Sequence, residues 1–161
     1  MSIGFPARHS ARSQAKRPSD YDYASVIEQR LQDVDPAVFG DLAPGDVVFT
    51  DSSHVSKIDS DVNLLFLDVI PQLPAGVHIH VHDIGWPFEY PQSWVFEGRA
   101  WNEAYLLRAL LIGNERLQIS IWGSQLRHHH PAKMQSLWPV WAADGGTSLW
   151  LQTTAPGPAP R

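Results

Sequence analysis

Two short polar clusters follow apolar runs in the middle of the chain: Asp51-Ser52-Ser53-His54 after Val47-Val48-Phe49, and His82-Asp83 after Val77-His78-Ile79-His80-Val81. Carboxylates at two strand ends can hold one hard cation such as magnesium, which neutralises an alcohol oxygen as it loses its proton. An imidazole three residues beyond the first carboxylate, with an ordinary pKa of about 6.5, can take that proton as a general base. Asp51, His54, His82 and Asp83 therefore form one candidate site, with His54 as its catalytic residue. The plainer alternative is a loop in which Asp51 caps the next helix and His54 is solvated.

Convergence of these side chains requires the two runs to be neighbouring parallel strands, whose C-terminal ends form the ligand crevice of an open α/β sheet. Gly45 and Gly76 precede the runs and polar residues end them, the pattern of short buried strands over Asp46 to Thr50 and Val77 to His82. Between them, Ser60 can cap a helix whose Val62, Leu65, Phe66, Val69, Ile70 and Leu73 recur at three- and four-residue steps. Pro74-Ala75-Gly76 closes it. Strand, helix, strand is the unit of a parallel sheet with a right-handed crossover.

Upstream, residues 24 to 39 fit both a helical stripe and an alternating strand; a strand near 25 to 31 is the reading taken, followed by a short helix from Asp35-Pro36. Downstream, Ile84 to Gly98 holds Trp86, Phe88, Tyr90, Trp94 and Phe96 among prolines, which predicts a rigid lid or wall. Ala100 to Ile112 is apolar almost all round and predicts a largely buried helix. Leu117 to Trp122 and Ser148 to Leu151 alternate as strands, and Asp144-Gly145-Gly146 supplies turn chemistry for two antiparallel partners joined by a long excursion.

The 161 residues suit one domain with a core, with 43% hydrophobic and 18% charged residues. A net charge of -5 gives no basic field for nucleic acid or for an anionic membrane surface, and no apolar run approaches the roughly 20 residues that span a bilayer. Neither partner is expected. Cysteine is absent, so there is no disulfide framework and no thiolate chemistry; nothing argues for secretion, and a cytoplasmic setting is the expectation. Residues 1 to 22 read as a disordered basic tail, faintly like a transit segment, 23 to 154 as the domain, and 155 to 161 as a solvated proline-rich tail.

Alternation places His78, His80 and His82 on one strand face, where imidazoles two apart can share a metal. A cupin-like metal barrel is the rival this raises, although Glu89 lies too far from the His pair for its ligand pattern. The plainer reading packs His78 and His80 under a helix with their nitrogens bonded. His128-His129-His130 before Pro131 reads as an exposed loop.

Three stretches together, Gly45 to His54, Gly76 to Pro91 and Trp101 to Arg108, resemble the C-terminal half of class I S-adenosylmethionine-dependent methyltransferases. The likeness is to a bacterial branch with "DSSH" and "HDI-x-x-P-x-EYP" at these places, and covers about residues 25 to 152. It implies a partial Rossmann-like α/β sheet, strands three or four to seven, parallel with a C-terminal antiparallel strand pair, the first strands missing. It further implies O-methyl transfer to a small molecule. Asp33, Asp51 and Ser52 would face the cofactor, Asp33 near the adenine amino group; Asp51, His82 and Asp83 match metal-ligand positions; Trp86, Tyr90 and Trp94 would line the acceptor site. His82 departs from the carboxylate or carboxamide usual there. None of the eleven glycines forms Gly-x-Gly, the loop that holds this cofactor, so self-association or pairing with a missing N-terminal half is expected. The alternative function is a non-catalytic remnant serving as a metal- or partner-binding module.

Overall fold

Gly45 and Gly76 open the two central strands with positive φ angles of 94° and 89°, conformations that an L side chain rarely adopts. Their backbones are joined: Gly45 N donates to Gly76 O at 2.9 Å, and Gly76 N donates to Thr153 O at 2.8 Å. In this computed structural model the described residues are 3–4, 9–11, 25–144 and 146–155. Short strands β1 (Ile3–Gly4), β2 (His9–Ala11) and β3 (Ser25–Ile27) come first, then a 3-10 turn at Leu31–Asp33 and helix α1 (Ala37–Gly40). Strand β4 (Val47–Thr50), helix α2 (61–72) and strand β5 (His78–Val81) follow. After the aromatic segment with α3 (Gln92–Phe96) come α4 (Glu103–Leu111), β6 (Leu117–Trp122), α5 (Gly123–His129), α6 (Pro131–Leu137), α7 (Pro139–Asp144) and β7 (Leu149–Thr153).

The fold is α/β, with a four-stranded mixed sheet in the order β4-β5-β7-β6. β4 and β5 run parallel, as their strand, helix, strand order predicts, and β7 is antiparallel to both β5 and β6. Helices α2 and α4 exclude the all-β cupin-like barrel.

Strand alternation turns Val48, Ile79, Val81, Leu149 and Leu151 toward α2 and α4, where they form one buried cluster with Leu65, Phe66, Ile70, Ala104 and Leu107. Ser60 caps α2 by accepting from Asn63 N at 3.1 Å. Near its end the helix winds as π over Leu64–Val69, with Ile70 N donating to Leu65 O; Pro71, lacking an N–H, cannot extend an α ladder. The opposite sheet face carries Phe49, His80 and Trp150 in register across three strands. β6 forms one sheet edge, with Ile119 and Ile121 exposed.

Two expectations change. The strand near 25 to 31 shrinks to Ser25–Ile27 and pairs with β2 in a separate three-stranded sheet, leaving β4 as the other edge of the main one. Pattern alone establishes a strand but not its neighbour. Helix α4 is also less buried than its composition implies: Ala104 and Leu107 face the core, while Tyr105 is exposed. Within the segment read as a basic tail, β1 pairs antiparallel with β2. Its other residues before Ser25, and the proline-rich end past Ala155, lie outside the described residues.

A Cβ on Gly76 would stand 2.8 Å from the Pro44 Cβ, in a backbone region already unfavourable to alanine. Gly76→Ala is expected to lower unfolding free energy by more than about 1 kcal/mol, read as a lower urea midpoint at unchanged slope.

Candidate active site

Helix α4 begins against the loop that leaves β4. The Asn102 and Glu103 backbone N–H groups both donate to His54 O, at 3.0 and 3.2 Å, and the Asn102 amide brackets Ser56 by accepting from its N and donating to its O. This clamp fixes His54 in the left-handed region, φ 58°, where a non-glycine residue is uncommon. Asp83, after β5, has a matching φ of 56°. Two of the four candidate residues thus carry the backbone strain that clusters at functional sites.

The His54 side chain is 8% exposed and that of Glu103 1%. Nδ1 lies 2.7 Å from Glu103 Oε2, and the Ser52 hydroxyl donates to Oε1, also at 2.7 Å, so both oxygens of a buried acid are satisfied. A carboxylate only accepts, so Nδ1 carries the proton. Nε2 is then left facing Asp51 Oδ1 at 3.5 Å. Trp101 covers the imidazole, ring centroids 4.1 Å apart. Burial works against the charged imidazolium, but the Glu103 hydrogen bond and charge, with Asp83 and Asp51 adding to them, outweigh it and raise the His54 pKa above 6.5.

Asp83 accepts from the Thr147 hydroxyl at 2.8 Å and borders a cleft of ≈ 260 Å³. Trp86, Tyr90 and Trp94 line that cleft, together with Glu89 and Arg127. Tyr90 accepts from Ala104 N at 2.9 Å, and burial pushes its phenol up to about 12, so it stays neutral. The Arg99 guanidinium sits over the Trp94 and Trp101 rings, 4.6 and 5.0 Å from their centroids, and pins the aromatic segment to the entry of α4.

Asp51, His54 and Ser52 are brought together, and the Asp83 charge reaches them. Ser52 turns its hydroxyl inward to Glu103. Asp33 stays outside the cluster, exposed on the 3-10 turn that Arg30 and Gln32 tie to Asp59. His82 Nε2 lies 3.6 Å from Asp83 Oδ1, while its Nδ1 is buried without a partner. Among the described residues no group of three or more His, Asp or Glu side chains is placed to hold a metal ion.

His80 stacks on Phe49 at 4.3 Å and meets the Trp150 ring edge-on, with Nδ1 unpartnered; burial and the neighbouring His82 hold its pKa down to about 4. It is therefore neutral and packed between rings rather than bonded beneath a helix. His128 and His129 end α5 and, with His130, are exposed. Glu103 was not among the residues singled out from sequence. Its signal is an acid at the first position of an otherwise apolar helix, directly after Trp-Asn.

Comparison with protein-family models, with curated proteins and with solved structures finds no match to this chain. No helix among the described residues is long and apolar enough to cross a membrane.

Because the folded His54 pKa is raised, the stability from its charged pairing is full below about 6.5 and is lost as pH rises through that higher pKa. Glu103→Gln should lower the His54 pKa in an NMR titration and flatten this part of the stability profile. An unchanged His54 titration would show that Glu103 does not set its charge.

Proposed function

We propose that this chain is the acceptor-side portion of a class I S-adenosylmethionine-dependent methyltransferase that transfers a methyl group to the oxygen of a small molecule in the cytoplasm. The observation that carries the reading is the Glu103–His54–Asp51 arrangement at the end of a parallel strand, beside an aromatic-walled cleft. The parallel pair β4 and β5 with the antiparallel β6 and β7 agrees with the strand arrangement that the sequence resemblance implies.

In this mechanism the acceptor hydroxyl enters the cleft near Asp83 and gives its proton to His54 Nε2. Glu103 holds the imidazole in the required tautomer and stabilises the imidazolium that forms, the role a buried carboxylate plays toward a histidine base. Trp86 and Trp94 exclude water from the reacting oxygen. S-adenosylmethionine would supply, when bound, the electrophilic methyl carbon; of the residues expected to hold it, Asp51 lies at the site, whereas Asp33 is exposed outside the cluster and the Ser52 hydroxyl is committed to Glu103.

The chain's glycines offer no Gly-x-Gly loop for the rest of the cofactor, and β4 is a sheet edge. Association with another copy, or with a chain that brings the cofactor loop, completes the reading. The same absent loop favours a second reading, a non-catalytic metal- or partner-binding module. Titration calorimetry with S-adenosylmethionine separates the two: micromolar binding by the chain, alone or with a chain that brings the cofactor loop, supports the enzyme, and no binding in either case supports the module.

With a radiolabelled methyl donor and the cofactor-bearing half present, His54→Ala is expected to cut transfer by about 100-fold or more. Wild-type rates should rise with pH through one ionisation above 6.5, since the base works unprotonated. Transfer that survives the substitution would return His54 to a structural role.

A further inference from the structure

We infer that the cleft beside Asp83 takes an acceptor bearing a carboxylate in addition to its reacting hydroxyl, and that Arg127 binds the carboxylate. This rests on the methyl-acceptor reading of the cleft and names the acceptor's class. Arg127 is the only cation among the described residues that line the cleft, and it is exposed. Its placement is built rather than incidental. Ser124, one turn earlier on the same face of α5, accepts from Trp86 N at 2.9 Å, and the His129 ring packs edge-on against Trp86 at 5.4 Å. The helix that carries Arg127 is thereby fixed to the aromatic wall.

The acids around the cleft are otherwise engaged. Asp83 accepts from Thr147, Glu89 accepts from the Tyr105 hydroxyl at 2.9 Å, and no ion pair of Arg127 occurs among the described residues. A guanidinium with a free planar edge is matched by a carboxylate, which it binds through two parallel N–H bonds. The cleft thus carries acids whose hydrogen-bond donors come from the chain itself and a cation with no ion-pair partner among the described residues. A cavity of roughly 150 Å³ accommodates benzene, so ≈ 260 Å³ suits one substituted ring between Trp86 and Trp94.

The test compares 3,4-dihydroxybenzoate with catechol on the full chain, by tryptophan fluorescence quenching and calorimetry at pH 7 and low salt. The carboxylate compound is expected to bind at least about 10-fold more tightly, an advantage that added salt reduces. Arg127→Gln should erase the difference while leaving catechol binding unchanged, and Arg127→Lys should restore part of it. Equal affinities, no binding of either compound, or a substitution that weakens both alike would overturn the proposal. No methyl donor is present, so equal affinities would leave methyl transfer standing; a chain that shows the preference yet never methylates would keep Arg127 and lose the reaction.

Discussion

The buried pair of Glu103 and His54 constrains everything around it. A carboxylate that is 1% exposed cannot stay charged in an apolar interior without partners, and both of its oxygens are used, one by an imidazole and one by a serine hydroxyl. Removing either partner would leave a charge with no water to receive it. The loop after β4 is consequently not free to move, and the start of α4 and the exit of β4 behave as one piece. Sheet, helix and loop meet at a polar contact inside an otherwise hydrocarbon core.

That contact explains why positive φ is tolerated at His54. The helix N–H groups that have no partner within α4 are given one by the His54 carbonyl, so a strained residue relieves an unsatisfied helix end. Strain and capping offset each other within a few residues. Nε2 is left as the polar atom of the ring turned toward Asp51.

Much of this was readable in the chain. Alternation and flanking glycines define β4, β5, β6 and β7, and three- and four-residue spacing defines α2, because each of these patterns records one buried side. What sequence could not show is pairing at a distance. Glu103 lies 49 residues from His54, and no local period links an acid on one helix to an imidazole on a loop. Likewise, Ser25 to Ile27 reads as a strand but says nothing about which sheet receives it. For His80 the plainer reading holds in part: the ring is packed and neutral, but between Phe49 and Trp150 rather than bonded beneath a helix.

The three helices between β6 and β7 leave and return at neighbouring points of the sheet, where Gly123 N donates to Ser148 O and the Trp141 indole lies over Gly123 and Gly146. Lengthening a chain segment whose ends are already joined adds little entropic cost, about 0.6 kcal/mol for each doubling. The insertion can therefore be exchanged as a cassette. A different set of helices could be grafted between β6 and β7 while the antiparallel strand pair beneath keeps its register.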